Sequence, residues 1–474
     1  MRRRTFACAA LLLVLSAGAP ANAQTDLESF VVYSDHPRLF LRPQRLRLLR
    51  REVERKSLRW DQFETLMRGG AVMPEPAFAD ALYFQATEDK TFGRKSVEWV
   101  LGKNRDVRQT ALVYDWCQDV MTPAEKRTVA ARLREAIGRP SGTSISDLRS
   151  KLLAALALGG DDKTASEKAI REVIHDQWLG RIIPALRAGN PVIHGNETFA
   201  LLEILHAVRD NLNADLREDF PAYFKQLPLF DLLSYYPPPY PAPENDYRIP
   251  FSAHIGEPDL RLAALSRAGE LAIVAFDTNA PESQVLQGWL MNDHFLMRGT
   301  FGIPYEFLWA NPYQPGLSYY HVPLVLHDEI FGRLLVRSSW DDDALWAGYI
   351  DGQLQEFREG RVVSIDPHAD HEPIDLDEAT IFFGPRIRKL PSGSRDANDI
   401  FIVGLTPNTR FHIEVDDEEM YEADSAAGGI LYLKGLRPGV VVRFNPQSES
   451  SGSPGLTNPV GPRPAAAQST RQGT

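Results

Sequence analysis

The chain has almost no cysteine. Of its 474 residues only Cys8 and Cys117 carry a thiol. Cys8 stands at the start of an apolar N-terminal run, not at its end, the wrong place for a lipidated first residue of a mature chain. Removing that run leaves Cys117 alone, so no internal disulfide can form and a small disulfide scaffold is excluded. The protein must stand on its apolar core. Around Cys117, "YDWCQD" is aromatic and apolar, with no adjacent cation to activate a nucleophile, and reads as a buried structural thiol.

Positive charge is also short. Lys and Arg number 52 against 63 Asp and Glu, a net charge of −11. That balance gives no general attraction to nucleic acid, so none is expected as a partner. An acidic substrate would need a local basic pocket. Long apolar runs are missing beyond the N-terminus, so no later stretch is expected to span a bilayer. At the N-terminus itself, Arg2, Arg3 and Arg4 precede "FACAALLLVLSAGAP" and then "ANA". This order predicts a signal peptide over residues 1–23, cut after Ala23, and a periplasmic or secreted protein; a membrane anchor is the alternative. About 450 residues then remain, room for two or three domains. The 10% aromatic content and 34 prolines fit a carbohydrate-handling protein.

What is abundant is helical periodicity. "RPQRLRLLRREVERKSLRWDQFETLMR" sets Leu46, Leu49, Val53, Trp60 and Phe63 at helical spacings, with Pro43 in the first turn. "TPAEKRTVAARLREAI" opens with Thr122 as cap, Pro123 next and Glu125 three residues after the cap. "SISDLRSKLLAALALGG", "SEKAIREVIHDQWLGRIIPAL", "NETFALLEILHAVRDN", "NADLREDFPAYFKQLPLFDLLSYY" and "EPDLRLAALSRAGELAIVAF" continue the pattern. No exact repeat is visible. Paired amphipathic helices in succession predict an α/α solenoid, closed or part-closed into a toroid, over residues 24–320. Short β runs with turns at Asp-Asp and Asp-Gly begin near 320, with good alternation in "RFHIEV" and "VVVRF". They predict a small antiparallel β-sandwich-like domain over 321–447. Residues 448–474, rich in Ser, Pro, Gly and Thr, read as a disordered tail.

Helices followed by a β-sandwich, behind a signal peptide, resemble the heparinase II/III-like polysaccharide lyases. The local matches are "DHPRLFLRPQRLRLLRREVE", "ALVYDWCQDVMTPAEK" and "FGRLLVRSSWDDDALWAGYIDG". In that family a turn carrying Asn opens a toroid helix, as "HGNETFALLEIL" does here, and a Tyr follows some tens of residues later. The resemblance implies cleavage of a uronate-containing polysaccharide by β-elimination, without cofactor. One departure stands out. The family's sandwich often presents an H-x-H-x-D strand, whereas the nearest segment here, "DPHADHEPIDL", arranges His368, Asp370 and His371 differently. "VGLTPNTRFHIEV" reads as one of the last hairpins and is similar instead to a fibronectin type III edge.

A uronate lyase removes the weakly acidic proton beside a carboxylate and expels the 4-linked sugar. It needs preorganised donors for the developing dianion, a base, and an acid for the leaving oxygen. Asn196, at a helix start, suits the carboxylate, because free N–H groups and the helix dipole already favour an anion there. Its alternative reading is a plain N-cap. His194 is a neighbouring candidate, or a satisfied surface histidine. The proline-rich "SYYPPPYPAPENDYRIPF" breaks helix continuity and carries Tyr240 and Tyr247. By the resemblance Tyr247 is the acid/base, with Arg248 favouring its phenolate, and His254 is a second base. These tyrosines have packing of the loop as their alternative. Sugar subsites are expected at Tyr240, Arg248, Trp309, Tyr313, Tyr319 and Tyr320, where interdomain packing serves equally well. Asp341 to Asp343 read as an acidic turn; a calcium site there is weakly indicated, and no metal is assigned. Two other functions remain open. One is a glycoside hydrolase using a carboxylate pair such as Glu244 and Asp246. The other is a non-catalytic glycan-binding or envelope protein on a degenerate lyase scaffold.

Overall fold

The structure is a computed structural model. It describes residues 33–104, 106–193, 195–238, 248–251, 259–292, 297, 299–369, 371–384, 388–389, 398–416, 419–436 and 440–446. The expected signal peptide and the expected tail lie outside these residues. The chain forms two compact units, which meet between Ile365 and Asp366.

The first unit begins with helices: α1 (Pro43–Arg55), α2 (Leu58–Arg68), α3 (Pro76–Thr87), α4 (Lys90–Leu101), α5 (Val107–Trp116), α6 (Pro123–Gly138), α7 (Ile145–Leu158), α8 (Lys163–Arg171), α9 (Ile183–Arg187), α10 (Thr198–Leu212), α11 (Pro221–Ser234), α12 (Leu260–Phe276), α13 (Pro281–Asn292) and α14 (Gly299–Trp309). Their starts are written in the sequence. Thr122 and Glu125 form the expected reciprocal capping box at α6. Asp106, Ser144 and Asp259 cap α5, α7 and α12 through their side chains. One expected continuous helix is broken, and another changes its winding. Lys56 adopts a left-handed conformation and Ser57 accepts the Trp60 N–H, so α2 starts afresh. Between α8 and α9, Glu172–Ile182 winds as a π-helix.

Burial sorts the helices into two layers. Helices α3, α5, α7, α10 and α12 are buried over most of their length, α5 together with its polar Arg108, Gln109, Thr110 and Asp115. They pack in order: α3 on α5, α5 on α7, α7 on α10, α10 on α12, and α12 on α14. Helix α14 then packs on α2 and α3, so the succession returns to its start. Helices α4, α6 and α8, each buried over a smaller part of its length, pack against α3, α5 and α7. A buried ionic group ties the first layer together. Glu203 of α10 is fully buried and receives Arg108 of α5 at 2.6 Å and Arg149 of α7 at 3.0 Å.

The change from helix to strand falls near residue 320, as expected, with β1 starting at Val325. The division into compact units does not. Strands β1 (Val325–Asp328), β2 (Arg333–Arg337), β3 (Trp346–Ile350), β4 (Gln353–Arg358) and β5 (Arg361–Ile365) form an antiparallel meander inside the first unit. Asp351 and Gly352 both take positive φ at the expected Asp-Gly turn between β3 and β4. The sheet is anchored to the helices: Trp346 Nε1 donates to the Leu233 carbonyl at 2.7 Å, and Tyr236 Oη donates to Gln355 Oε1 at 2.7 Å.

The second unit holds β6 (Ile374–Asp375), β7 (Ala379–Phe383), β8 (Arg388–Lys389), β9 (Asn398–Val403), β10 (Arg410–Val415), β11 (Glu419–Asp424), β12 (Leu431–Leu436) and β13 (Val441–Pro446). One sheet runs β11-β10-β13-β8, the other β12-β9-β7-β6. They share a core, with Phe382, Ile400 and Leu431 from one sheet and Phe411, Ile413 and Val442 from the other. "RFHIEV" alternates as its pattern required. Two expectations are corrected. The unit is not wholly antiparallel, because β7 and β9 pair in parallel. "VGLTPNTRFHIEV" is not a hairpin, because β9 and β10 belong to different sheets.

Candidate active-site cavity

Within the first unit, α11 lies beside the starts of α10 and α12, and the β1–β2 and β3–β4 turns approach the same place. Between them is a cavity of about 380 Å³. Helix spacing aims the residues into it. From α12 come Leu262 and Ser266, with Asp259 one turn earlier; from α11 come Tyr223, Gln226, Leu227, Phe230, Asp231 and Ser234. Gly195, Asn196 and Thr198 line it from the start of α10, and Asp328 and Arg333 from the β1–β2 hairpin.

Asn196 is not the cap of its helix. It sits in a 3₁₀ turn, Gly195–Glu197, and Glu197 occupies the cap position of α10 without a capping side-chain bond. Glu197 Oε1 instead accepts the backbone N–H of Ile145 at the start of α7, at 2.9 Å. Asn196 is exposed on the cavity wall, and its side-chain amide makes no hydrogen bond among the described residues. No side chain therefore caps the start of α10.

Arg333 is the cation of this cavity. Its guanidinium lies 5.3 Å from the ring of Phe230 and 5.0 Å from that of Phe331. Its Nε is buried without a hydrogen-bond partner, and it forms no ion pair among the described residues. Asp328 stands opposite it in the hairpin register, but that carboxylate is occupied: Oδ1 accepts the N–H groups of Ile330 and Phe331 at 3.1 and 3.2 Å. Tyr223 lies against the Phe331 ring. Burial pushes its phenol above the usual range, and Arg333 opposes that shift. Asp231 is half-buried and has no hydrogen bond or ion pair to its carboxyl among the described residues. Loss of solvation holds it well above the usual carboxylate range, with repulsion from Glu270 adding to the effect.

The sequence-derived candidates do not all gather here. His194, Tyr240, Tyr247 and His254 lie outside the described residues, as do Glu244, Asp246 and Asp370. Arg248 lies over the Trp289 ring and pairs with Asp342 at 3.2 Å, so it serves packing and the acidic turn. Trp309 is 2% exposed and packs on Phe40 and His206, leaving no ring face for a sugar. Tyr319 is likewise buried, against Trp289 and Trp340. Tyr320 is exposed and stacks on Tyr319. Tyr313 is exposed, but it lines a different groove, beside Glu52 and Arg59. Among the described residues no group of His, Cys, Asp or Glu could hold a metal ion. Cys117 is buried beside Ser96 at 3.3 Å, and burial pushes its thiol up to about 12, as its apolar context required.

Sequence reasoning missed Arg333, Tyr223 and Asp231. Two carried a signal. Asp231 is the lone charged residue between Lys225 and Glu244, in the apolar run "PLFDLLSYY". Arg333 opens the otherwise buried strand "RLLVR". Compared with known proteins, the chain matches no family model, and no curated protein matches it in sequence.

Proposed function

We propose that this is an exported polysaccharide lyase-like enzyme that cleaves a uronate-containing polysaccharide by β-elimination. The observation that carries the reading is the meeting on one cavity of the unbonded Asn196 amide, the start of α10 without a side-chain cap, and Arg333 without an ion pair among the described residues. Together they suit a sugar carboxylate, whose charge grows as the adjacent proton leaves. The return of the helix succession from α14 to α3 supports an α/α toroid as the scaffold. The basic N-terminus followed by an apolar run supports export to the periplasm or beyond.

Asp231 favours a second reading, glycoside hydrolysis in the same cavity. A carboxyl that holds its proton above the usual range, facing a cavity with further carboxylates, is what an acid/base pair requires. One experiment separates the two. The purified protein is incubated with a panel of uronate polymers, and both the ultraviolet absorbance of an unsaturated product and the release of reducing ends are followed. The lyase reading expects both signals together, and Arg333→Ala abolishing both. Reducing ends without absorbance establish hydrolysis, and neither signal with any polymer overturns catalysis on uronates.

A further inference from the structure

We propose that Asp231 is the proton donor to the leaving sugar oxygen in this cavity. The inference rests on the reading that the cavity cleaves a glycosidic linkage.

Three observations of position point to it. Asp231 lines the cavity from α11, one helical turn beyond Leu227 and beside Phe230, so its carboxyl borders both the guest space and an apolar wall. It carries no ion pair or hydrogen bond that would hold it as an anion. The fully buried Glu270 of α12 repels its anionic form, and Glu270 is itself paired with Arg267, whose Nε lies at 3.1 Å. A carboxyl so placed holds its proton to higher pH than an ordinary carboxylate and can give it to a strong base formed in front of it, as a leaving alkoxide is. The other ionisable groups around this part of the cavity are Tyr223 and Tyr235 near α11, Asp259 on α12, Asp328 and Arg333 on the β1–β2 hairpin, and Asp351 on the β3–β4 turn. Arg333, the cation among them, lies against Phe230, so carboxylate recognition and proton donation share one cavity.

The step balances as an elimination. One of the other carboxylates that line the cavity, Asp259, Asp328 or Asp351, takes the proton from C5 of the uronate and passes it to water after the turnover. The C5–H electron pair becomes the C4–C5 double bond, and the C4–O4 bond breaks. The Asp231 O–H bond breaks as O4–H forms, leaving an Asp231 carboxylate that regains its proton from water before the next turnover. No oxidant or metal is needed for this balance.

The test uses the full chain, its Asp231→Asn variant and two substrates. One is a uronate polymer cleaved by the wild type; the other is a uronate whose C4 oxygen carries a nitrophenyl group, which departs without protonation. Asp231→Asn should lower kcat on the polymer by about 10²–10⁴-fold and by less than about tenfold on the nitrophenyl ether. Wild-type activity should fall on the alkaline side as Asp231 loses its proton, and that limb should be missing in Asp231→Asn. Glu270→Gln, which removes the repelling charge, should move the limb to lower pH. Independently of turnover, the infrared spectrum of the wild type at neutral pH should contain a protonated-carboxyl band that Asp231→Asn lacks. Equal losses on both substrates, or no such band, overturn the assignment while leaving cleavage intact. A wild type inert toward every uronate polymer overturns the underlying reading, and the proton-donor role with it.

Discussion

Glu197 Oε1 accepts the backbone N–H of Ile145 at 2.9 Å, across 52 residues of chain. A side chain at the start of α10 thus caps α7, and α10 is left open toward the cavity. Glu197→Ala should cost about 1 kcal/mol, the usual loss for a helix cap, and Glu197→Gln much less, because the amide oxygen can still accept. Urea denaturation of the three proteins measures this. Equal midpoints for Ala and wild type would show that the contact contributes nothing.

The same arrangement reverses the ordinary expectation for Asn196. A capping asparagine contributes to stability; one exposed at a cavity wall with a free amide does not. Asn196→Ala should leave the denaturation midpoint unchanged within roughly 0.5 kcal/mol, the range of surface substitutions. Turnover of a uronate polymer should fall about a hundredfold or more, as for loss of an oxyanion donor. A destabilised variant with full activity would restore the cap reading and remove Asn196 from the site.

The helical layers meet at a charge that cannot be deleted cheaply. Glu203 is fully buried between Arg108 and Arg149, and Arg108 is 2% exposed. Glu203→Gln leaves two cations facing a neutral amide, with Glu75 at 3.2 Å as the remaining carboxylate for Arg108. The expected cost is about 3–5 kcal/mol, typical of a buried ion pair broken on one side. Arg108→Met combined with Glu203→Leu should recover part of it, since the desolvation cost of that pair disappears while Arg149 still loses its carboxylate. Thermal unfolding of the single and double variants decides the matter; additive losses would argue against the coupling.

Local signals in the sequence were readable wherever the cause was local. Thr122, Pro123 and Glu125 sit three residues or fewer apart, so the start of α6 was visible before any fold was known. The Asp351-Gly352 turn is of the same kind. The break at Lys56 was hidden, because Leu46 to Phe63 keep a helical period across it and only the left-handed backbone reveals the stop. Aromatic residues misled for a related reason. Trp309 and Tyr319 occur in a proline-containing, loop-like stretch, yet both are interior packing residues, and nothing in a linear pattern distinguishes a ring offered to sugar from one offered to Phe40 or Trp289. The cavity was half legible. Asn196 could be singled out from the turn that opens α10, but Arg333 and Asp231 come 137 and 35 residues later, and only the packing of α11 and the β1–β2 hairpin brings them to it.

Asp80 provides a pH test of the packing between α3 and α4. It is half-buried on α3, and loss of solvation raises its pKa to about 6, opposed by Lys95 of α4. In the unfolded chain the same carboxyl titrates near 3.9. Between about pH 4 and pH 6 the folded protein therefore holds a proton that the unfolded chain has released. The stabilisation from this proton is complete below about pH 4, is lost as pH rises through 6, and does not return above it. Because the carboxyl is partly exposed, the loss is roughly 1–2 kcal/mol, below the full value for the shift. Asp80→Asn has no proton to lose. It should match the wild type at pH 4 and exceed it in stability by that amount at pH 7. Using the difference between the two proteins cancels the carboxylates shifted the other way, such as Glu125, which Arg94 holds down to about 2. Chemical denaturation of both proteins at half-unit steps from pH 4 to pH 7 reads the difference directly, and curves that stay parallel would place Asp80 in an ordinary solvated setting.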